Sequence, residues 1–200
     1  MAKLLMITGR GSAIDLASGK KGAFYNTLEE FHKYWERIDV IVPRTRVPAS
    51  PHPRGAQSSF PRRGGPPVES PLASFDNVFI HQSPWPLIFQ PFWILKKGFE
   101  IYQNESFDLI TVHEYPPFYN GIGARMLWGK IKVPYVLEIF HIPGYPRAAD
   151  LKEKIYRRLF FSFIEYDCRK AKAVRVMNSQ VAERLVDLGV PRTKVRLIPA

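Results

Sequence analysis

Seven short runs of apolar, largely β-branched residues recur along this 200-residue chain, separated by segments that are mostly long enough for a helix. They are Leu4–Thr8, Val40–Val42, Val78–His81, Leu109–His113, Tyr135–Phe140, Ala173–Met177 and Val195–Ile198. A strand with one wet face alternates apolar and polar residues. These runs are nearly continuous, the pattern of strands buried on both faces of a parallel sheet. Parallel neighbours cannot be joined by a tight turn, so each connection crosses the sheet, with right-handed geometry. Periodicity places the crossover helices at 23–35, 87–103, 119–130, 149–171 and 180–188. In the fourth, Leu151, Ile155, Leu159 and Phe163 recur every four residues and are predicted to face the sheet. In the last, Ser179 stands at the capping position, Gly189 ends the helix and Pro191 follows. The expected fold is α/β: a Rossmann-like, doubly wound, mainly parallel sheet of about seven strands flanked by helices, forming a single domain over 1–200.

One segment interrupts the alternation. Residues 43–75 hold Pro43, Pro48, Pro51, Pro53, Pro61, Pro66, Pro67 and Pro71, five arginines and a single acid, Glu69. Such a stretch can supply neither a ladder nor a core, and it reads as a disordered Pro/Arg-rich insertion. The chain as a whole is rich enough in core-forming residues to fold, with 46% apolar and 14% aromatic residues. A single cysteine, Cys168, excludes an internal disulfide and a cysteine metal cluster, which suits a reducing compartment. The four apolar residues before Thr8 are too few for a signal-peptide core, and "WPLIFQPFWIL" at 85–95 is about half the ~20 residues a membrane span needs. The expected location is therefore cytoplasmic. Twenty-nine Lys and Arg against 18 Asp and Glu give a formal charge of +11, which favours nucleotide phosphates, acidic lipid surfaces or nucleic acid as partners.

In doubly wound sheets ligands bind beyond the carboxyl ends of the strands. Three loops there carry chemistry. After the first strand, "TGRGSAIDLASGKKGAFYN" offers Gly9, Gly11, Gly19 and Gly22, where backbone can approach a phosphate closely, together with Lys20 and Lys21. It lacks both the third glycine of the dinucleotide fingerprint and the Walker spacing. After the fourth strand come His113, Glu114 and Tyr115, where Pro116 and Pro117 stop the ladder. His113 and Glu114 are adjacent, so they share one site only where the strand is already ending. After the fifth strand comes His141, a group able to exchange a proton near neutral pH or to donate a hydrogen bond to a sugar oxygen. No Gly-x-Ser-x-Gly elbow, His-Glu-x-x-His helix or Asp-x-Asp pair occurs, and the five histidines lack metal-ligand spacing. No metal and no cofactor are expected.

The order of these features resembles the amino-terminal half of family 4 glycosyltransferases of the glycosyltransferase-B fold. The tail "CRKAKAVRVMNSQVAERLVDLGVPRTKVRLIPA" is similar to the family's strand, Ser-capped helix, leucine-glycine stop and strand closing in "IP". "FDLITVHEYPP" resembles the strand that ends in the acceptor loop, and "VPYVLEIFHIPG" the next strand with its terminal active-site histidine. Where family members show twin glycines before the first helix, this chain has Gly19-Lys20-Lys21-Gly22.

The resemblance implies a retaining-type enzyme that moves a sugar from a nucleotide-sugar donor to a lipid-linked or saccharide acceptor. His141 would be the catalytic contact to the transferred sugar. His113, Glu114 and Tyr115 would line the acceptor side, and Gly9, Gly11, Gly19, Lys20 and Gly22 would meet the donor phosphate. Glu165 matches a frequent family glutamate of structural role. The family's carboxyl-terminal nucleotide-sugar domain is absent from this sequence, so the chain reads as the acceptor-side domain, inactive without that partner. Peripheral contact with an anionic membrane at its inner face, through the basic surface and the aromatic stretch Trp85 to Trp93, is a further expectation, although simple core packing of a helix is the favoured reading of those aromatics; nucleic acid is not an expected partner of this reading. Two other readings stay open on residues alone: a non-catalytic α/β module binding anionic ligands or nucleic acid, and a dinucleotide-dependent oxidoreductase. The latter lacks the third glycine and an acid at the end of the second strand.

Overall fold

The computed structural model describes residues 2–12, 22–44, 75–115, 118–142 and 147–198. The apolar runs are strands: β1 Lys3–Ile7, β2 Arg37–Val42, β3 Val78–Gln82, β4 Leu109–His113, β5 Tyr135–Ile139, β6 Ala173–Val176 and β7 Val195–Leu197. They form one sheet in the order β3-β2-β1-β4-β5-β6-β7, and every neighbouring pair is parallel. The chain starts in the middle, winds outward to β3, returns past β1 and winds outward again to β7. This is the Rossmann-like, doubly wound arrangement expected from the sequence.

The helices are α1 Ala23–Phe31, α2 Gln90–Glu105, α3 Tyr119–Ile131, α4 Leu151–Lys170 and α5 Ser179–Asp187, with a 3₁₀ turn at Leu87–Phe89 leading into α2. The pleat sends alternate strand residues to opposite faces. Leu4, Met6, Ile38 and Val40 pack with Phe24 and Leu28 of α1, while Leu5, Ile7, Ile110, Val112, Leu137 and Val174 belong to the larger core with α2 to α5. Of the expected insertion, Pro43, Arg44 and Phe75 are described, and Phe75 is buried in the α1 core; residues 45–74 lie outside the described residues. Helices α2 and α3 pack where glycine removes a side chain: a Cβ on Gly98 would stand 2.5 Å from Leu127 Cδ2, and one on Gly123 2.7 Å from Ile94 Cδ1.

Two local expectations are corrected. The side of α4 that is buried is Phe160, Ile164, Asp167 and Cys168, whereas Leu151 and Ile155 are 72% and 51% exposed. Helix α5 is capped by Asn178, whose Oδ1 accepts from the Val181 N–H at 2.8 Å, and not by Ser179. The aromatic stretch follows its core-packing reading at both tryptophans: Trp93 is buried and Trp85 packs edge-on against it at 5.6 Å between centroids. The stop at Gly189 is as expected: its φ is +89°, a conformation that favours glycine, and the next N–H, from Val190, returns to Leu185 O at 3.0 Å. Among the described residues no helix is long and apolar enough to cross a membrane.

Candidate functional site

Strand β1 has β2 on one side and β4 on the other, so the direction of winding reverses between β1 and β4. This is the switch point at which doubly wound sheets form their ligand crevice, beyond the carboxyl ends of the strands. Asn120, buried in the first turn of α3, ties those ends together: its side-chain N–H₂ donates to Thr8 O at 3.0 Å and to His113 O at 2.9 Å. The next residue on each strand then meets its counterpart. A Cβ on Gly9 would stand 3.1 Å from Tyr115 Cδ1, so the absence of a side chain at Gly9 is what lets the Tyr115 ring lie against the turn. Burial raises the Tyr115 phenol, Glu114 adds to the rise, and Arg10 opposes it. Helical residues 10–12 follow at once, and Gly11 there has open space on its side-chain side. Gly22 is the residue before α1, and its carbonyl accepts from Asn26 N at 3.1 Å. Gly19 and Lys20 lie outside the described residues.

A charged row crosses the carboxyl edge of the sheet. In the parallel register His113 stands opposite Glu138, and Glu138 opposite Arg175. All three project to the face that carries α1. His113 Nε2 contacts Glu138 Oε2, while Arg175 Nη1 donates to Glu138 Oε1 at 3.1 Å. Burial pushes the Glu138 carboxyl up, but the contacts from His113 and Arg175 outweigh it and hold the group below its ordinary value. The His113 ring sits between Phe24 at 5.7 Å and Phe140 at 5.4 Å, both edge-on. With an acceptor on Nε2, the ring proton sits there and Nδ1 is left as its second polar atom. His141 follows Phe140 directly and is exposed at the end of β5, the hydrogen-bonded neighbour of β4.

Glu114 goes the other way. It is buried on the α3 and α4 side, and a Cβ on Gly121 would stand 2.2 Å from its Oε2 and 2.5 Å from Asp167 Oδ2. Two carboxyl groups therefore flank one glycine. Burial raises both: Asp167 is pushed up to about 8 against the opposing Arg125, and Glu114 is pushed well above its ordinary range, with Asp167 adding to the rise. Asp167 also presents its backbone carbonyl to Tyr135 Oη at 2.5 Å. Glu165, two residues earlier, is exposed and lies 3.8 Å from Arg169. Among the described residues no three His, Cys, Asp or Glu side chains converge in a way that could hold a metal ion.

Carboxyls with raised pKa values bind more protons in the folded than in the unfolded chain, so their contribution is full at low pH and is lost as pH rises through the folded value. Stability is expected to fall between about pH 5 and about pH 8, by up to roughly 1.4 kcal/mol per pH unit for each proton retained. Asp39 and Glu138 act oppositely. Burial raises Asp39, but hydrogen bonds from His81 and Arg37 outweigh it and hold it low, so the stabilisation from these two carboxylates is lost as pH falls through their depressed folded values, below about pH 4. Urea midpoints across this range check both limbs. Asp167→Asn is expected to flatten the alkaline one, and an alkaline limb that rises, or that Asp167→Asn leaves intact, would contradict the assignment.

Sequence reasoning reached His113, Tyr115, Gly9 and His141, which the fold gathers at one edge, and did not reach Glu138, Arg175, Asn120 or Asp167. A signal for two of them was present. Glu138 in "YVLEI" and Arg175 in "AVRV" each place a charge inside an otherwise apolar strand, and a charge there needs a partner.

The family described as "Glycosyl transferase 4-like domain" matches residues 26–200. Similar solved structures include UDP-GlcNAc 2-epimerase from Methanocaldococcus jannaschii (TM-score 0.55, 12% identity, covering 98% of this chain and 45% of that one). Another is UDP-GlcNAc 2-epimerase from Neisseria meningitidis bound to UDP-GlcNAc (0.55, 12%, 98% and 46%). A third is the S. aureus MnaA–UDP co-structure (0.54, 14%, 98% and 43%). At such identities the likeness is one of fold. The chain spans less than half the length of each of these structures. No curated protein is significantly similar to it in sequence. With residues 26–200 matching throughout, the chain belongs to the glycosyl transferase 4-like domain family.

Proposed function

We propose that this chain is the acceptor-side domain of a retaining-type glycosyltransferase. It would move a sugar from a nucleotide-sugar donor to a lipid-linked or saccharide acceptor, at the edge formed by the carboxyl ends of β1, β4 and β5. The observation that carries the proposal is the His113–Glu138–Arg175 row beside the β1/β4 crevice, in a chain of this family. Support for a nucleotide-sugar comes from two structures of the same fold that hold UDP and UDP-GlcNAc.

In this proposal Glu138 is a positioning residue: it holds the His113 imidazole, with the flanking rings of Phe24 and Phe140, so that Nδ1 meets an acceptor hydroxyl. Tyr115 closes the crevice over Gly9, and His141 contacts the transferred sugar. Glu114 lines the acceptor side only indirectly, by fixing the start of α3 from beneath. The donor phosphate lies along the connection that includes Gly9, Gly11, Gly19, Lys20 and Gly22. Negative charge growing on the leaving diphosphate would be met by backbone N–H groups and cationic side chains of that connection, the electrostatic kind of stabilisation that lowers such barriers. The main nucleotide contacts belong to a second α/β domain facing this one.

Release of nucleoside diphosphate from a panel of nucleotide-sugars, by the longest natural form of the protein with and without a lipid-linked or saccharide acceptor, tests the proposal. Acceptor-dependent release is expected, and no release from any donor would overturn it. The anomeric configuration of the product then reports retention. Glu138→Gln is expected to lower kcat about tenfold, with KM little changed, and to displace the pH profile of kcat. If Glu138 were only a structural partner, that substitution would lower the melting temperature and leave the pH profile in place.

A further inference from the structure

The described surface carries one concentrated apolar stripe. Ile88, Phe89 and Phe92 are 63%, 49% and 53% exposed, and Phe99 is 38% exposed. They lie at i, i+1, i+4 and i+11 on the Leu87–Phe89 turn and α2, which places them on one outward side of a continuous helical rod. The opposite side of α2, with Trp93, Ile94 and Ile101, is in the core, so the stripe does not arise from loose packing. Exposed large aromatics in one line cost solvation that isolated surface residues do not, and a patch of this kind marks an interaction surface.

The surrounding charge says what kind. From Asn77 to Phe99 the sequence contains no acid, while Lys96 and Lys97 are both present. Lys96 is exposed on the same side of α2, with Nζ 5.8 Å from the Trp85 ring. Arg44, also exposed, donates to Pro84 O at 3.3 Å and so brings a second cation beside the start of the stripe. The nearest acid in sequence, Glu100, is already engaged by Lys97 at 2.9 Å. Phenylalanines flanked by cations match a bilayer interface with anionic headgroups, where rings enter the acyl boundary and Lys or Arg meets phosphate. Two copies placed stripe to stripe would instead bring Lys96 and Arg44 of one against those of the other.

We propose that the outer side of α2 and its preceding turn, through Ile88, Phe89, Phe92 and Phe99 with Lys96 and Arg44, docks this protein on an anionic lipid bilayer. The rod starts at the end of β3, at the same edge of the sheet as the crevice, so docking brings that edge to the lipid surface. The proposal does not depend on the glycosyl-transfer reading: membrane binding is measured without any sugar substrate, and either can fail alone.

Co-sedimentation with vesicles of phosphatidylcholine, with and without phosphatidylglycerol, tests it, using the longest natural form of the protein. Binding is expected with the anionic vesicles and is expected to weaken with added salt. Phe89→Ser/Phe92→Ser removes two exposed rings, so the fold is expected to persist, and partitioning is expected to fall at least about tenfold. Lys96→Glu is expected to abolish the preference for phosphatidylglycerol. Sedimentation velocity accompanies these measurements. The proposal is overturned if the wild-type protein ignores anionic vesicles, if the folded double variant binds as well as wild type, or if the double variant dissociates an oligomer, which would make the stripe a contact between copies.

Discussion

Replacing His141 with alanine is expected to lower turnover in the longest natural form of the protein by about a hundredfold, with the melting temperature unchanged. The two halves of this expectation have separate grounds. His141 is exposed beyond the last residue of β5, so its loss leaves no cavity and strands no buried partner. Its position at the carboxyl edge, next in sequence to the Phe140 ring that flanks His113, puts it where the proposed sugar sits. Removing one pre-oriented hydrogen-bond donor from a charge-building transition state typically costs two to three orders of magnitude in kcat. Steady-state kinetics beside a thermal melt check it. Near-normal turnover in a folded variant would remove His141 from the site.

Gly121→Ala is expected to destabilise the domain by about 3 kcal/mol, roughly a hundredfold in the folding equilibrium. The added Cβ would lie 2.2 Å from Glu114 Oε2, 2.5 Å from Asp167 Oδ2 and 2.7 Å from Asp167 Cγ, and neither carboxyl group can swing into solvent because both residues are buried. Relief requires α3 to move. That in turn strains the Asn120 clip, one residue earlier, on which the spacing of the β1 and β4 ends depends. Gly129→Ala serves as the control: it lies in the same helix, has nothing within 4 Å of its Cβ, and is expected to be neutral or to stabilise by up to about 1 kcal/mol. Urea titrations of the two variants read the difference, and equal midpoints would mean that the carboxyl pair yields more easily than its burial implies.

Strand existence and the doubly wound plan were legible because parallel strands buried on both faces leave continuous apolar runs such as "LLMI" and "LITV", a signal written locally. What depends on register between distant segments was not. His113, Glu138 and Arg175 are far apart in sequence and meet only because β4, β5 and β6 align in one register, which no local pattern encodes. The buried side of α4 was misplaced for a related reason. A four-residue repeat drifts around a helix by about 40° per step, so Leu151, Ile155, Leu159 and Phe163 do not stay on one face. The face that is buried, through Phe160, Ile164 and Asp167, is fixed by α3 and β5, with Tyr135 bonded to the Asp167 carbonyl. Asn178 and Ser179 are neighbours of nearly equal capping strength, and only the extended backbone at Asn178 decides between them. In the aromatic stretch at 85–95, Trp85 and Trp93 are in the core, as the core-packing reading expects, whereas the outward position of Phe89 and Phe92 was not read from the sequence, because apolar residues lie all around that segment.

The placement of the site at the β1/β4 crevice is tested most directly by amide hydrogen exchange on the longest natural form, with and without a saturating nucleotide-sugar donor. Slowed exchange is expected in peptides that contain Gly9 to Gly11, His113 to Tyr115 and His141, with α5 and β7 unchanged. Protection confined instead to the groove lined by Glu165, Arg169 and Lys194, with the carboxyl edge unaffected, would contradict it.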